Sequence, residues 1–231
     1  MDTVIPTIFP DYLIAVSTPQ LNIQLPHKFL GRDVFPPMIR IPSTNNKLPE
    51  LGHAGVLFIN GKNGLTKYFE YGRYDRAALG VTRQVTIPDV AIDPKGRPTY
   101  KSLCKTLHQI STVAGQGGRI SGAYIEVPTG GFSAMLAYCQ KRVSANKDPQ
   151  RAPYSLTTHS CIHFVKEVME AGGVDTPWML DPRPIGYIDR VRAGLPKLDY
   201  MPKKNTLSVE NISLSGAPGE NPQQAALGRR K

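Results

Sequence analysis

The sequence predicts an α+β domain in which an antiparallel sheet packs against a helix that opens at a cysteine. Three observations predict it. Residues 53–60 and 65–71 are two apolar-rich, β-prone runs joined by the turn-rich Gly61-Lys62-Asn63-Gly64, the pattern of a β-hairpin. Phe164, Val165, Val168 and Met169 recur at three-to-four spacing, the pattern of an amphipathic helix. The remaining segments mix strand and helix patterns without βαβ alternation or a glycine-rich phosphate loop, which argues against a parallel nucleotide-binding sheet.

Before the hairpin, residues 1–50 are dense in proline, with Pro6, Pro10, Pro19, Pro26, Pro36 and Pro37 among them. Proline fixes φ and removes a backbone donor, so this stretch is expected to be an irregular wrapping arm. After the hairpin, residues 84–87 read as a strand and 99–113 as a helix. Residues 120–127 read as a strand with Ala123, Ile125 and Val127 on one face, and 131–145 as a helix. The clearest helix spans 158–171, where Thr157 or Thr158 can cap the start and Gly172-Gly173 ends it. Trp178 and Pro177 are expected to pack this helix down, and a short fourth helix is expected over 184–193. The polar stretch from Lys203 onward is poor in aromatic residues and reads as flexible. The expected organisation is an arm over 1–50, a folded domain over 51–202 and a flexible basic tail over 203–231.

Lys and Arg number 28 against 18 Asp and Glu, a formal net charge of +10, which favours an anionic partner. Lys203, Lys204, Arg229, Arg230 and Lys231 place part of that excess in the tail. The other basic residues form no zinc finger, basic zipper or glycine-aromatic RNA motif, so nucleic acid is not the expected partner. Cys104, Cys139 and Cys161 are odd in number and match neither a disulfide framework nor a zinc knuckle. No metal or organic cofactor is expected. Met1 is followed by Asp2 and by a segment broken at Pro6 and Pro10, so synthesis in the cytoplasm without a secretory signal is expected.

Cys161 is the candidate nucleophile. A thiol reacts as its thiolate, and the first turn of a helix favours that anion through unpaired backbone N–H groups and the helix dipole. The competing reading is a small apolar core residue, because Cys161 shares a helical face with Phe164, Val165 and Val168. A nucleophilic thiol also needs a base. His159 and His163 lie two residues either side of Cys161, about 200° around a helix, and face away from it. His27 lies in the proline-rich arm and His108 in mid-helix. His53 begins an otherwise apolar strand, where Gly52, Ala54 and Gly55 leave room for another element, and it is the candidate base. Glu70, Tyr71 or Asp75 can orient the imidazole: an even hairpin loop puts Glu70 on the face of His53, an odd loop puts Tyr71 there. Glu70 is preferred because a carboxylate also stabilises an imidazolium.

The strand Leu51-Gly52-His53-Ala54-Gly55-Val56, followed downstream by Ser160-Cys161-Ile162-His163-Phe164-Val165, resembles the circularly permuted branch of the NlpC-type papain-like superfamily, which includes lecithin retinol acyltransferase. Four of six positions match that branch's Asn-Cys-Glu-His-Phe-Val signature, with Ser160 and Ile162 departing from it. The stretch from Gly64 to Asp75 resembles papain-like toxins of the TseH type, delivered between bacteria by type VI secretion. The resemblance implies a permuted papain-like fold and acyl transfer through a thioester, with Cys161 as nucleophile, His53 as base and the Cys161 N–H as an oxyanion donor. For an effector it implies peptidoglycan peptide stems in a target-cell periplasm as substrate, a secretion-apparatus partner and a cognate immunity protein. Two rival readings are a lipid acyltransferase or thioesterase of the same fold, and a non-enzymatic basic binding module.

Overall fold

The computed structural model describes residues 1–15, 21–23, 39–41, 47–48, 52–74, 79–179 and 181–218. Eight strands form one antiparallel sheet: β1 (Asp2–Phe9), β2 (His53–Ile59), β3 (Thr66–Gly72), β4 (Val81–Val85), β5 (Ile120–Ala123), β6 (Ile125–Val127), β7 (Lys197–Met201) and β8 (Thr206–Val209). Their order is β8-β7-β5-β1-β2-β3-β4, with β6 pairing β1 beyond the end of β5. Helix α1 (Tyr100–Ala114) covers one face. Helices α2 (Gly131–Ser144), α3 (Cys161–Ala171) and α4 (Pro184–Arg192) cover the other. The α+β class and the antiparallel sheet packed on the helix that carries Cys161 are as the sequence predicts.

Burial on both faces explains the apolar run of β2. Ala54, Val56 and Phe58 point at α2 and α3, whereas Leu57 and Ile59 point at α1. Both sets are completely buried, so successive residues are apolar with no polar alternation. Gly55 interrupts the run because the hydroxyl of Tyr68 lies over it. A Cβ at Gly55 would stand 2.0 Å from that oxygen.

The largest correction concerns the proline-rich arm. Its first residues form the central strand β1, entirely buried between β2 and the β5–β6 pair. Proline is ordinarily confined to edge strands because it cannot donate to a ladder. Here the ladder yields instead. The Pro6 carbonyl faces β5, so its donor-less nitrogen faces the same neighbour. At that level the neighbouring strand divides into β5 and β6 at Tyr124, whose N–H turns to Pro196 O at 2.8 Å. Ala123, Ile125 and Val127 still join one core cluster, as expected for a single strand. Further along the arm, Ile14–Ala15 pairs with Lys47–Leu48 and Leu21–Ile23 with Ile39–Ile41.

Other boundaries also move. The strand expected at 84–87 runs over Val81–Val85. Helix α3 begins at Cys161 rather than 158, because Ser155 and His159 are tied backbone to backbone at 2.9 and 3.1 Å and Ser160 caps the helix. Trp178 does not pack α3 down; it is 84% exposed, although Pro177 accepts a hydrogen bond from Tyr187. The tail expected from 203 begins with β8 and continues to the buried Leu214. Residues 219–231 lie outside the described residues. No helix among the described residues is long and apolar enough to cross a membrane.

Candidate active site

The site forms where the start of β2 meets the start of α3. His53 is the first residue of β2, and Gly52 before it has φ +65°, a left-handed turn that glycine adopts at little cost. The connection between β2 and β3 holds six residues, 60–65, and the register pairs Gly55 with Glu70. Opposed residues share a face in an antiparallel pair, so His53, Gly55 and Glu70 lie on one side of the sheet. The next strand pairs Glu70 directly with Arg83.

These positions build a continuous row of polar contacts. The Oε2 of Glu70 lies 2.9 Å from Nε2 of His53, and its Oε1 accepts from Nε of Arg83. The hydroxyl of Tyr74 lies 3.1 Å from the same Nε2. With Nε2 engaged, Nδ1 is the ring nitrogen left for Cys161, whose thiol and the imidazole shift each other's pKa. Tyr154, seven residues before Cys161, places its hydroxyl 3.7 Å from Sγ and 3.4 Å from the Cys161 N–H. Phe9, Tyr12 and Tyr74 surround the imidazole, with ring centroids 6.1, 5.1 and 6.4 Å from it.

Helix α3 is held at its start by the neighbouring side chains. His163 turns back so that Nδ1 lies 2.8 Å from Ser160 Oγ and 3.4 Å from Ser160 N, forming a capping box. Burial lowers the His163 pKa, consistent with a neutral ring that accepts from the cap. His163 thus faces away from the thiol, as its spacing predicts. His108 bonds Tyr200 at 3.1 Å, and His159 bonds Thr158 at 2.9 Å. His27 and Asp75 lie outside the described residues. Tyr71, the other candidate partner for His53, lies on the opposite sheet face and stacks on Tyr154 and Phe164.

Neighbouring groups, not burial, separate the three thiols. All three are buried and unpaired, and burial alone favours a neutral thiol. It pushes Cys104 up and Cys139 well above the ordinary range. For Cys161 burial acts in the same direction, but the hydrogen bond and charge of His53, with smaller help from Tyr154 and the Ala54 N–H, outweigh it and lower the thiol pKa. Burial alone would lower the His53 pKa. Its contacts with Cys161 and Glu70 instead raise it to about 9. Glu70, buried but facing His53 and Arg83, is held below the usual carboxylate range. Both shifts run in the direction that favours a thiolate–imidazolium pair.

Sequence reasoning singled out Cys161, His53 and Glu70, and the structure brings them together. It did not single out Tyr154, Arg83, Tyr12 or Tyr74. The signal for Arg83 was a charged residue in a strand beside Glu70, but it becomes informative only once two strand registers are known. Tyr154 lies in a loop, where no periodicity indicates direction.

The family model for type VI secretion system effectors of the TseH-like kind matches residues 4–175. Among solved structures, a crystal structure of a type VI secretion system effector, TseH, is similar over 91% of this chain and 98% of that chain, at 33% identity and a TM-score of 0.70. No curated protein matches the chain. Matched from its first strand through the helix that carries Cys161, the chain belongs to the TseH-like family of type VI secretion system effectors.

Proposed function

We propose that this effector is a cysteine hydrolase of the amidase or endopeptidase type, cleaving amide bonds in the peptide stems of peptidoglycan in the target-cell periplasm. The observation that carries the reading is the buried Cys161–His53–Glu70 row, in which one of three buried thiols is lowered in pKa. In this mechanism the Cys161 thiolate attacks the amide carbonyl while Glu70 keeps the imidazolium of His53 oriented. The Cys161 N–H and the Tyr154 hydroxyl, both beside Sγ, stabilise the oxyanion. His53 then gives its proton to the departing amine, leaving a thioester. Water attacks the thioester with His53 as base, releasing the acid and restoring the pair.

A basic protein suits an anionic envelope polymer. A cavity of about 270 Å³ lined in part by Tyr71, Arg142 and Arg151 adds cationic surface to which stem carboxylates would be attracted. Synthesis in the cytoplasm followed by export would engage a component of the secretion apparatus. A producing cell would need an immunity protein that blocks the cleft.

The test is digestion of purified peptidoglycan with the parent protein and with Cys161→Ser, followed by chromatography and mass spectrometry of the fragments. The expected result is a set of products with newly freed amino groups, made by the parent and not by the variant. Intact stems after treatment with parent protein would overturn the substrate assignment.

A further inference from the structure

We propose that Arg83 and Tyr74 form a clamp that positions the His53–Glu70 pair and balances its charge, so that Cys161 can ionise inside the protein. This inference rests on the hydrolase reading and extends it to two positioning residues.

The geometry leaves Glu70 no freedom. Its side chain is fully buried, one carboxylate oxygen faces Nε2 of His53, and the other accepts from Nε of Arg83. Arg83 is the direct cross-strand neighbour of Glu70, so the contact is built into the β3–β4 register. The Arg83 guanidinium also lies 4.2 Å over the ring of Tyr74, within cation–π range. Tyr74 in turn sets its hydroxyl 3.1 Å from Nε2 and its ring edge-on to the imidazole at 87°. Gly72 permits this: a Cβ there would stand 2.7 Å from the Tyr74 ring, which folds back over the strand end. Tyr74 thereby covers the solvent side of the His53–Glu70 contact, while Arg83 fixes both Glu70 and Tyr74.

The charges explain the need for a fourth member. Across four elements the order is thiolate (Cys161, α3), imidazolium (His53, β2), carboxylate (Glu70, β3) and guanidinium (Arg83, β4). Without Arg83 two buried anions would share one cation, and excess negative charge opposes ionisation of the thiol. Loss of the Glu70 charge would not rescue the site, because His53 would then lose its partner. Both routes push the thiol upward. The other titratable groups facing the row are Tyr12, Tyr68, Tyr74 and Tyr154, all of them neutral phenols held above their ordinary range by burial and by the neighbouring anions.

The experiment measures the rate at which iodoacetamide alkylates Cys161 across pH in the full chain, with the labelled residue mapped by mass spectrometry. Parent, Arg83→Gln, Arg83→Lys and Tyr74→Ala are compared, each checked for folding by circular dichroism. The clamp predicts that Arg83→Gln moves the inflection upward by about one pH unit, the effect of one nearby charge. Arg83→Lys should recover most of that shift, and Tyr74→Ala should move it in the same direction by less. If Arg83→Gln does not fold, the partly exposed Tyr74→Ala carries the test alone. Folded variants whose profiles superpose on the parent's would overturn the clamp. A parent whose Cys161 alkylates like an ordinary thiol would overturn the hydrolase reading itself, which is a separate outcome.

Discussion

A thiol in a protein interior is normally inert, because removing water penalises the anion. At Cys161, 1% exposed, the penalty is outweighed by the neighbouring His53, which lowers the thiol pKa. The pH dependence follows from the two shifts. In the proposed mechanism, below the lowered thiol pKa the thiolate regains its proton and attack stops, and above about 9 His53 loses the proton that the leaving amine needs. Hydrolysis is therefore expected to follow a bell in pH, with its acid limb below the ordinary thiol range and its alkaline limb near 9. A pH–rate profile of kcat/KM checks this, and a single limb rising near pH 9 would contradict it.

The partners of the pair should separate by the kind of loss they cause. Glu70→Gln keeps the shape but removes the charge that fixes the imidazolium, and kcat is expected to fall by about 10²- to 10⁴-fold. Tyr154→Phe removes a hydroxyl beside the Cys161 N–H, and kcat is expected to fall by about 10²-fold with KM little changed. A Tyr154→Phe variant that raised KM while leaving kcat alone would place that hydroxyl in substrate binding instead.

At the scale of elements, the chemistry depends on registers that sequence patterns specify only partly. The apolar, β-prone runs at 53–60 and 65–71 with their turn-rich link identified the hairpin, and the apolar spacing at 164–169 identified α3. The even six-residue connection, read from the register, places Glu70 rather than Tyr71 beside His53. Turn composition alone did not determine how many residues leave the ladder. Similarly, Ser160 displaced the threonines as the cap because the Ser155–His159 backbone pairing holds the preceding residues outside the helix. Gly55 offers a test at this scale, since it pairs with Glu70 and lies under the fully buried Tyr68. Gly55→Ala would place a methyl 2.0 Å from the phenol oxygen and must displace the ring. The expected cost is about 1 to 3 kcal/mol, typical of overpacking, read as a lower Tm. Unchanged thermal stability would mean that β2 and β3 can shift apart without penalty.

For the molecule as a whole, the active site depends on a strand at the opposite end of the sequence. Proline density made residues 1–50 read as an arm, and the pattern rule failed at Pro6 because the neighbouring strand, not β1, gives up its pairing there. Phe9, in register with His53, is part of the aromatic wall around the imidazole. The anchor of β1 is Asp2. Its carboxylate accepts from the N–H of Gly61 at 3.0 Å, beside the hairpin, and from Gly130 and Phe132 at 3.0 and 3.1 Å, at the start of α2. One side chain thus ties the central strand to the hairpin turn and to a helix N-terminus, where a negative charge is favoured. Asp2→Ala leaves three donors without their acceptor in a largely buried place. A loss of about 3 kcal/mol is expected, given the cost of unsatisfied groups and of a charged hydrogen bond. It would appear as a lower urea midpoint with an unchanged slope. The thiol of Cys161 should keep its low inflection while the protein stays folded, because Asp2 lies at the other end of β1 from Phe9. A midpoint shift below about 0.5 kcal/mol, the scale of an ordinary surface substitution, would remove Asp2 as the anchor and leave β1 held by its ladder and apolar contacts alone.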